Sequence, residues 1–416
     1  MESKNKTFRL PNGLVILFEE MSWSNTFALA ITVPAGSVFD PPNAEGLAAL
    51  TCEMTNRGAG KYNNRSFLEA LEKYGLDTSE GTYKNSTHFE AMGLKEYWQQ
   101  ALELLALQVT EPLLPEEEFE DCRQIQLQEI LSFEDSPRFQ SQKLLNQLLW
   151  PDPWGKEING CLESVSKLTI EDIRSFYSKY YIPNGTIIAL AGPMDWDQVQ
   201  NKVIEIFSAW RPKEIPQITP VSSHKSTAHM ESNIAQTNIS LGFQSVPFGD
   251  PSYWLTLAGI EILSGGMSSR LFTEVRENRG LCYTVNAAPH TIGPYGGVCC
   301  YCGTNESMAQ ESLNVIIDEI DKLFTGSISE SELERMKIRT RSSLVMQRES
   351  PIKRVNSMVR DYLYLGQVRA LSEMLAIYDR ITPKELEDYL HSQPLVKFKL
   401  ATVGKNELQI PSERLY

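Results

Sequence analysis

Arg276 and Tyr283 are the two side chains of this sequence whose types and spacing most readily do chemistry. Arg276 falls late in a helical pattern that Gly280 closes, and Tyr283 opens the strand pattern that follows. A guanidinium and a phenol on adjoining elements are fixed donors for a carbonyl oxygen or a developing oxyanion. Spacing alone leaves two blander readings open: a surface ion pair for Arg276 and a half-buried strand position for Tyr283. The nearby Arg270 and Arg279 read as structural or solvated.

Other chemistry-bearing residues are scattered. Cys299, Cys300 and Cys302 invite a metal reading, but paired Cys-x-x-Cys knuckles and a nearby histidine are missing. The run Gly297 to Cys302 reads instead as a buried strand that uses cysteine as a small hydrophobe. Seven cysteines, an odd number in a long chain, imply no disulfide framework. His88, His290 and His391 stand apart; His224 and His229 fall in a linker and read as loop residues. No phosphate-binding glycine motif or nucleophilic serine motif is present.

These residues must be positioned by a folded chain of 416 residues, with 42% apolar and 22% charged positions. The net charge of −14 argues against a nucleic-acid binder, and no run of 18 apolar residues predicts a membrane span. The start, Met1 to Lys6, leads into an amphipathic strand pattern and not an apolar signal core, which points to the cytoplasm. The chain also repeats itself. Phe67 to Leu76 and Phe272 to Leu281 share the pattern F-x-E-x-x-E-x-x-G-L. Glu118 to Pro137 answers Glu332 to Pro351, and Thr169 answers Thr382, always about 210 residues apart. We read two homologous halves, residues 1–210 and 230–416, joined by a linker over 211–229.

Within a half, Leu14–Phe18, Phe27–Val33 and Thr186–Gly192 read as strands. Glu45–Arg57, Asn64–Tyr74 and Glu116–Glu134 read as helices, the last ended or kinked by Pro137. Thr169 caps a further helix, with Asp172 three residues on. Strands and several helices, twice over, make an α+β duplication. At the positions matching Arg276 and Tyr283 the first half has Leu71 and Thr78, so the fold alone does not demand the pair.

The stretch Ala35 to Pro42, followed by Glu45-Gly46-Leu47-Ala48, resembles the pitrilysin/insulinase family of zinc peptidases. The likeness is greatest to short bacterial members similar to mitochondrial processing peptidase. In that family a helix then carries H-x-x-E-H, whose histidines share one face and grip zinc while the glutamate activates water. Here those positions hold Ala49, Cys52 and Glu53, and Glu129 matches the family's third ligand. Gly265 to Tyr283 also fits the family, whose arginine and tyrosine fall on Arg276 and Tyr283. In the family this pair contacts the substrate backbone and helps polarise the scissile carbonyl.

The resemblance implies two α/β-roll halves forming a half-clamshell, with no metal and no catalytic residue in this chain alone. It implies zinc in a paralogous partner subunit that carries H-x-x-E-H, with peptides as substrates. The chain is then a non-catalytic, substrate-binding subunit of a heterodimeric metallopeptidase, active only with its partner. The alternative is a pseudoenzyme scaffold or a peptide-binding or maturation protein. Gly265-Gly266 reads as a tight turn without the longer glycine-rich insertion of the mitochondrial recognition subunit.

Overall fold

The computed structural model describes residues 5–222 and 224–416. The strand lead-in read over residues 1–4 lies outside them. The first half holds strands β1 (Asn5–Arg9), β2 (Val15–Glu20) and β3 (Thr26–Val33), then helices α1 (Leu47–Thr55) and α2 (Asn64–Glu72). The hairpin β4 (Asp77–Thr82) and β5 (Thr87–Leu94) follows, then helices α3 (Glu116–Glu134) and α4 (Pro137–Leu149), and later β6 (Ile187–Gly192). The second half holds β7 (Thr227–Glu231), β8 (Gln236–Ser245), helix α5 (Tyr253–Ser264) and a π-helical segment (Phe272–Asn278). The hairpin β9 (Cys282–Ile292) and β10 (Tyr295–Asn305) follows, then α6 (Glu330–Arg348), α7 (Pro351–Leu365) and β11 (Lys399–Gly404).

The larger sheet has the order β1-β2-β6-β3-β5-β4, and the other has the order β9-β10-β8-β11-β7. Read backwards, the second sheet repeats the order of the first from β2 onward. The end pair of this shared order is parallel in each, β2 with β6 and β7 with β11. The remaining pairs of the shared order are antiparallel. The duplication in the sequence is therefore a duplication of strand order and direction, and the fold is α+β in two like halves.

Packing crosses the halves. One compact unit comprises Met1–Leu131, Glu157–Thr219 and Val345–Leu371; the other comprises Ser132–Lys156, Pro220–Leu344 and Ser372–Tyr416. Helix α4 thus leaves the first half for the second unit, and α7 leaves the second half for the first. Each starts at a Ser-Pro pair, with proline in the first turn, where its missing N–H costs nothing. Pro137 therefore opens a new helix and does not merely end α3. Ser136 caps α4 by accepting from the Phe139 N–H.

The exchanged helices explain why the central strands are apolar on both faces. In the first unit, Ile16, Phe18, Leu29, Ile31, Ile188 and Leu190 face the main core. The alternate residues Val15, Leu17, Ala28, Ala30, Ile187 and Ala189 meet Val355, Met358 and Val359 of α7. In the second unit, Ile239, Leu241, Cys300 and Cys302 face the core, whereas Cys299 packs with Leu145 and Leu148 of α4. The cysteine run is thus a strand alternating between two apolar layers. Helix α4 lies so close to β8 that a side chain at Gly242 would begin 3.0 Å from Leu145.

The sequence-level capping box holds: Thr169 accepts from the Asp172 N–H, and Asp172 accepts from the Thr169 N–H at 2.9 Å. One reading is corrected. His229 is no loop residue, because it lies in β7, and its Nδ1 meets the Thr402 hydroxyl at 2.8 Å. A short strand after a proline-rich stretch carries no local signal; its partner β11 defines it.

Candidate functional site

The first-half site is built on α1. The Asp40 carboxylate accepts from the N–H groups of Gly46 and Ala48, each at 2.8 Å, and so caps the helix. Gly46 has φ +95°, and a Cβ there would sit 2.5 Å from the Asn159 carbonyl oxygen. The helix therefore starts at Leu47, later than the expected Glu45. Leu47, Ala48, Leu50, Thr51, Cys52 and Met54 are buried, which leaves Ala49 and Glu53 one turn apart on the open face.

Ala49, Cys52, Glu53, Glu80, Gln126 and Glu129 line a cavity of about 240 Å³. Gln126 of α3 holds the wall together, donating to the carbonyls of Gly46 at 3.0 Å and Asn159 at 2.9 Å. The third-ligand position Glu129 is therefore brought to the same cavity as the degenerate motif. Desolvation, then the charge of Glu53, holds the Glu129 carboxyl above its ordinary value. Desolvation also raises Glu80, against a hydrogen bond that its carboxylate accepts from Asn56 at 2.6 Å.

The cavity does not fit zinc. Ala49 offers no ligand. Burial, with Glu80 adding to it, pushes the Cys52 thiol far above its ordinary range, so it stays protonated. Glu53 is ion-paired with Arg57, whose Nε also donates to the Cys122 sulfur at 3.1 Å. Burial nonetheless pushes Cys122 up to about 11. Among the described residues, no three His, Cys, Asp or Glu side chains are grouped to hold a metal ion. Arg57 and Glu80 were missed at the sequence level. The spacing of Glu53 and Arg57, one helical turn, was a usable signal for the first. Glu80 had none, since strand pairing brings it in.

Arg276 and Tyr283 lie on the second unit. The segment Phe272–Asn278 winds as a π-helix, a form often found at functional positions. Leu271 and Val275 are buried and anchor it, and the Leu281 N–H closes it on the Val275 carbonyl at 2.9 Å. Gly280 then turns the chain at φ +61°. The exposed Arg276 guanidinium stands 4.9 Å from the Phe272 ring. Register shifts between Cys282 and Thr284, so Tyr283 is the extra residue of a β-bulge and is 73% exposed. Among the described residues, the Arg276 guanidinium has no ion pair and the Tyr283 phenol no hydrogen bond.

The flanking arginines differ. Arg270 donates to Glu332 at 2.7 Å and to the carbonyl of Ser327 at 2.9 Å, so it is structural. Burial would raise Glu332, but Arg270 and the Ser329 N–H and hydroxyl overcome it and hold it at about 2. Arg279 is half exposed, 3.8 Å from Glu311. Gly265-Gly266 ends α5 in the expected turn, closed by the Ser269 N–H on the Gly266 carbonyl at 3.0 Å. No helix among the described residues is long and apolar enough to cross a membrane.

Residues 15–159 match the family model of the insulinases (peptidase family M16), and residues 167–340 match that of the peptidase M16 inactive domain. An uncharacterized zinc protease of Rickettsia felis is 26% identical over 407 residues, covering 96% of this chain and 98% of that protein. Another, from Bacillus subtilis, is 24% identical over 372 residues, covering 89% and 91%. The fold resembles a peptidase M16 inactive domain from Pseudomonas fluorescens, with a TM-score of 0.90, 23% identity and coverage of 98% and 100%. It also resembles a protease from Helicobacter pylori, with a TM-score of 0.86, 19% identity and coverage of 98% and 100%. Two successive matches to one family along the chain, a duplicated fold of the same kind, and Ala49, Cys52 and Glu53 in place of the metal motif lead to one conclusion: the chain belongs to the insulinase (M16) peptidase family, as a member without the zinc motif.

Proposed function

We propose that this chain is the substrate-binding, non-catalytic subunit of a heterodimeric metallopeptidase. Its partner is a paralogous subunit that carries H-x-x-E-H and zinc, and its substrates are peptides in extended form. The observation that carries this reading is that Arg276 and Tyr283, solvent-facing on adjoining elements, have no ion pair and no hydrogen bond, respectively, among the described residues. Two donors whose N–H and O–H groups are open in this way are suited to a substrate carbonyl. The place of Tyr283 supports a peptide ligand. Strand β9 is a sheet edge, so its outer backbone groups are open to an added strand.

In this reading Arg276 and Tyr283 orient the scissile carbonyl and stabilise charge on its oxygen, while hydrolysis belongs to the partner's zinc. The test is peptidase activity on a quenched peptide, with metal content measured on the same samples. This chain alone is expected to be silent. A mixture with a zinc-bearing paralogue from the same genome is expected to be active, with zinc tracking the paralogue. Stoichiometric zinc and activity in this chain alone would overturn the reading. Silence of every mixture would favour a scaffold.

A further inference from the structure

We propose that Cys282 and Cys302 form an oxidative modification site, a peroxide-reactive thiol and its resolving thiol, set directly beneath Tyr283. All seven cysteines are free. In the β9–β10 ladder Cys282 pairs with Thr304, and beyond the bulge Thr284 pairs with Gly303 and Val285 with Cys302. Cys302 is therefore the diagonal neighbour of Cys282, and both belong to the same buried cluster. Cys282 is 8% exposed at the strand start, where a small oxidant can reach it, and Cys302 is fully buried behind it.

The surroundings single out Cys282. Hydrogen bonding with Cys302, opposed by burial and aided by the Arg276 charge, holds the Cys282 thiol below its ordinary value. Cys302 is raised by the same hydrogen bond and by burial. Burial pushes Cys299 and Cys300 up to about 12, so they remain thiols. Cys161 is exposed, on the other compact unit.

The chemistry balances with a peroxide as oxidant. The Cys282 thiolate attacks one peroxide oxygen and breaks the O–O bond, giving a sulfenic acid and hydroxide, which takes a proton to become water. The Cys302 sulfur then displaces hydroxide from the sulfenic sulfur, and its own proton completes a second water. Two thiols lose two electrons, and hydrogen peroxide becomes two waters. The Cys282 and Cys302 sulfurs are already in hydrogen-bond contact, and a disulfide brings them closer still, to about 2 Å. Closing the bond must therefore draw the start of β9 toward β10. The bulge at Tyr283 is the element that yields, so oxidation displaces the phenol.

Only that last consequence rests on the function proposed for Arg276 and Tyr283. The full chain is treated with hydrogen peroxide, alkylated after denaturation and mapped by mass spectrometry. The expected result is a Cys282–Cys302 cross-linked peptide, reversed by dithiothreitol, with the exposed Cys161 recovered uncross-linked to any other cysteine of the chain. In Cys302→Ser, dimedone is expected to label Cys282. Recovery of Cys282 and Cys302 as alkylated thiols, or cross-linking of a different pair, would overturn the site. Mixed with the zinc-bearing paralogue, the oxidised chain is expected to lose turnover at least tenfold. Cross-linking with unchanged turnover would overturn the displacement of Tyr283. If Tyr283→Phe also leaves turnover unchanged, the proposed function fails while the oxidation site stands.

Discussion

The Arg57 guanidinium closes on the Glu53 carboxylate one turn before it on α1 and reaches across to Cys122 on α3. It supplies positive charge where three carboxylates, Glu53, Glu80 and Glu129, share one cavity. Arg57→Leu is expected to lower stability near neutral pH by about 1.5–3 kcal/mol, the usual worth of hydrogen bonds to a charged group. Denaturant unfolding at pH 7 and at pH 4 checks this. The loss should shrink at the lower pH, where the Glu80 and Glu129 carboxyls, both raised by burial, take up protons. Glu129→Gln, by contrast, is expected to leave the turnover of an assembled complex unchanged.

Arg276 and Tyr283 make a sharper prediction. Arg276→Ala or Tyr283→Phe is expected to reduce turnover by about 10²–10³, as for loss of one oxyanion donor. Assembly with the partner, followed by size-exclusion chromatography, should be intact. Arg276→Lys keeps the charge but not the planar fork, and is expected to recover little. Full activity in Arg276→Ala and Tyr283→Phe would remove the pair from the reaction.

Helix α7 is fastened to β2 by a buried ion pair. Glu19 is fully buried, Arg354 is 3% exposed, and the Arg354 Nε donates to Glu19 at 2.8 Å. Removing one partner leaves the other charge uncompensated. Arg354→Ala is therefore expected to cost about 3–5 kcal/mol. Arg354→Met combined with Glu19→Met should lie much closer to the native protein. Chemical denaturation of the single and double variants separates the two outcomes.

His88 should set part of the acid limb of stability. Its Nε2 lies 2.9 Å from the Ser86 hydroxyl, and burial lowers its pKa from 6.5 to about 4. The unfolded chain binds this proton first, so stability is fully present above pH 6.5 and falls as pH drops toward about 4. The loss is up to roughly 3 kcal/mol. His88→Gln should flatten the curve in that window. An unaltered slope would mean the histidine titrates normally.

The stretch most readable beforehand was local. Thr169 and Asp172 were recognised from their spacing, and α3 ends where the periodicity ends. Arg276 and Tyr283 were read correctly as residues of adjoining elements, because Gly280 marks the turn between them. The π winding and the bulge that turn both side chains outward were not readable. They depend on Val275, Leu281 and Thr304 meeting across the core.

The sequence by itself determined the duplication, the α+β class, the loss of the metal ligands at Ala49, Cys52 and Glu53, and the candidate pair. These are properties of short patterns and of their recurrence. Tertiary structure alone decided that α4 and α7 change places between the halves, that β7 exists, that Glu80 joins the cavity and that Arg57 reaches Cys122. Each rests on contacts between residues far apart in the chain. Local propensity carries no record of them, because burial and strand pairing decide them only when the whole chain packs.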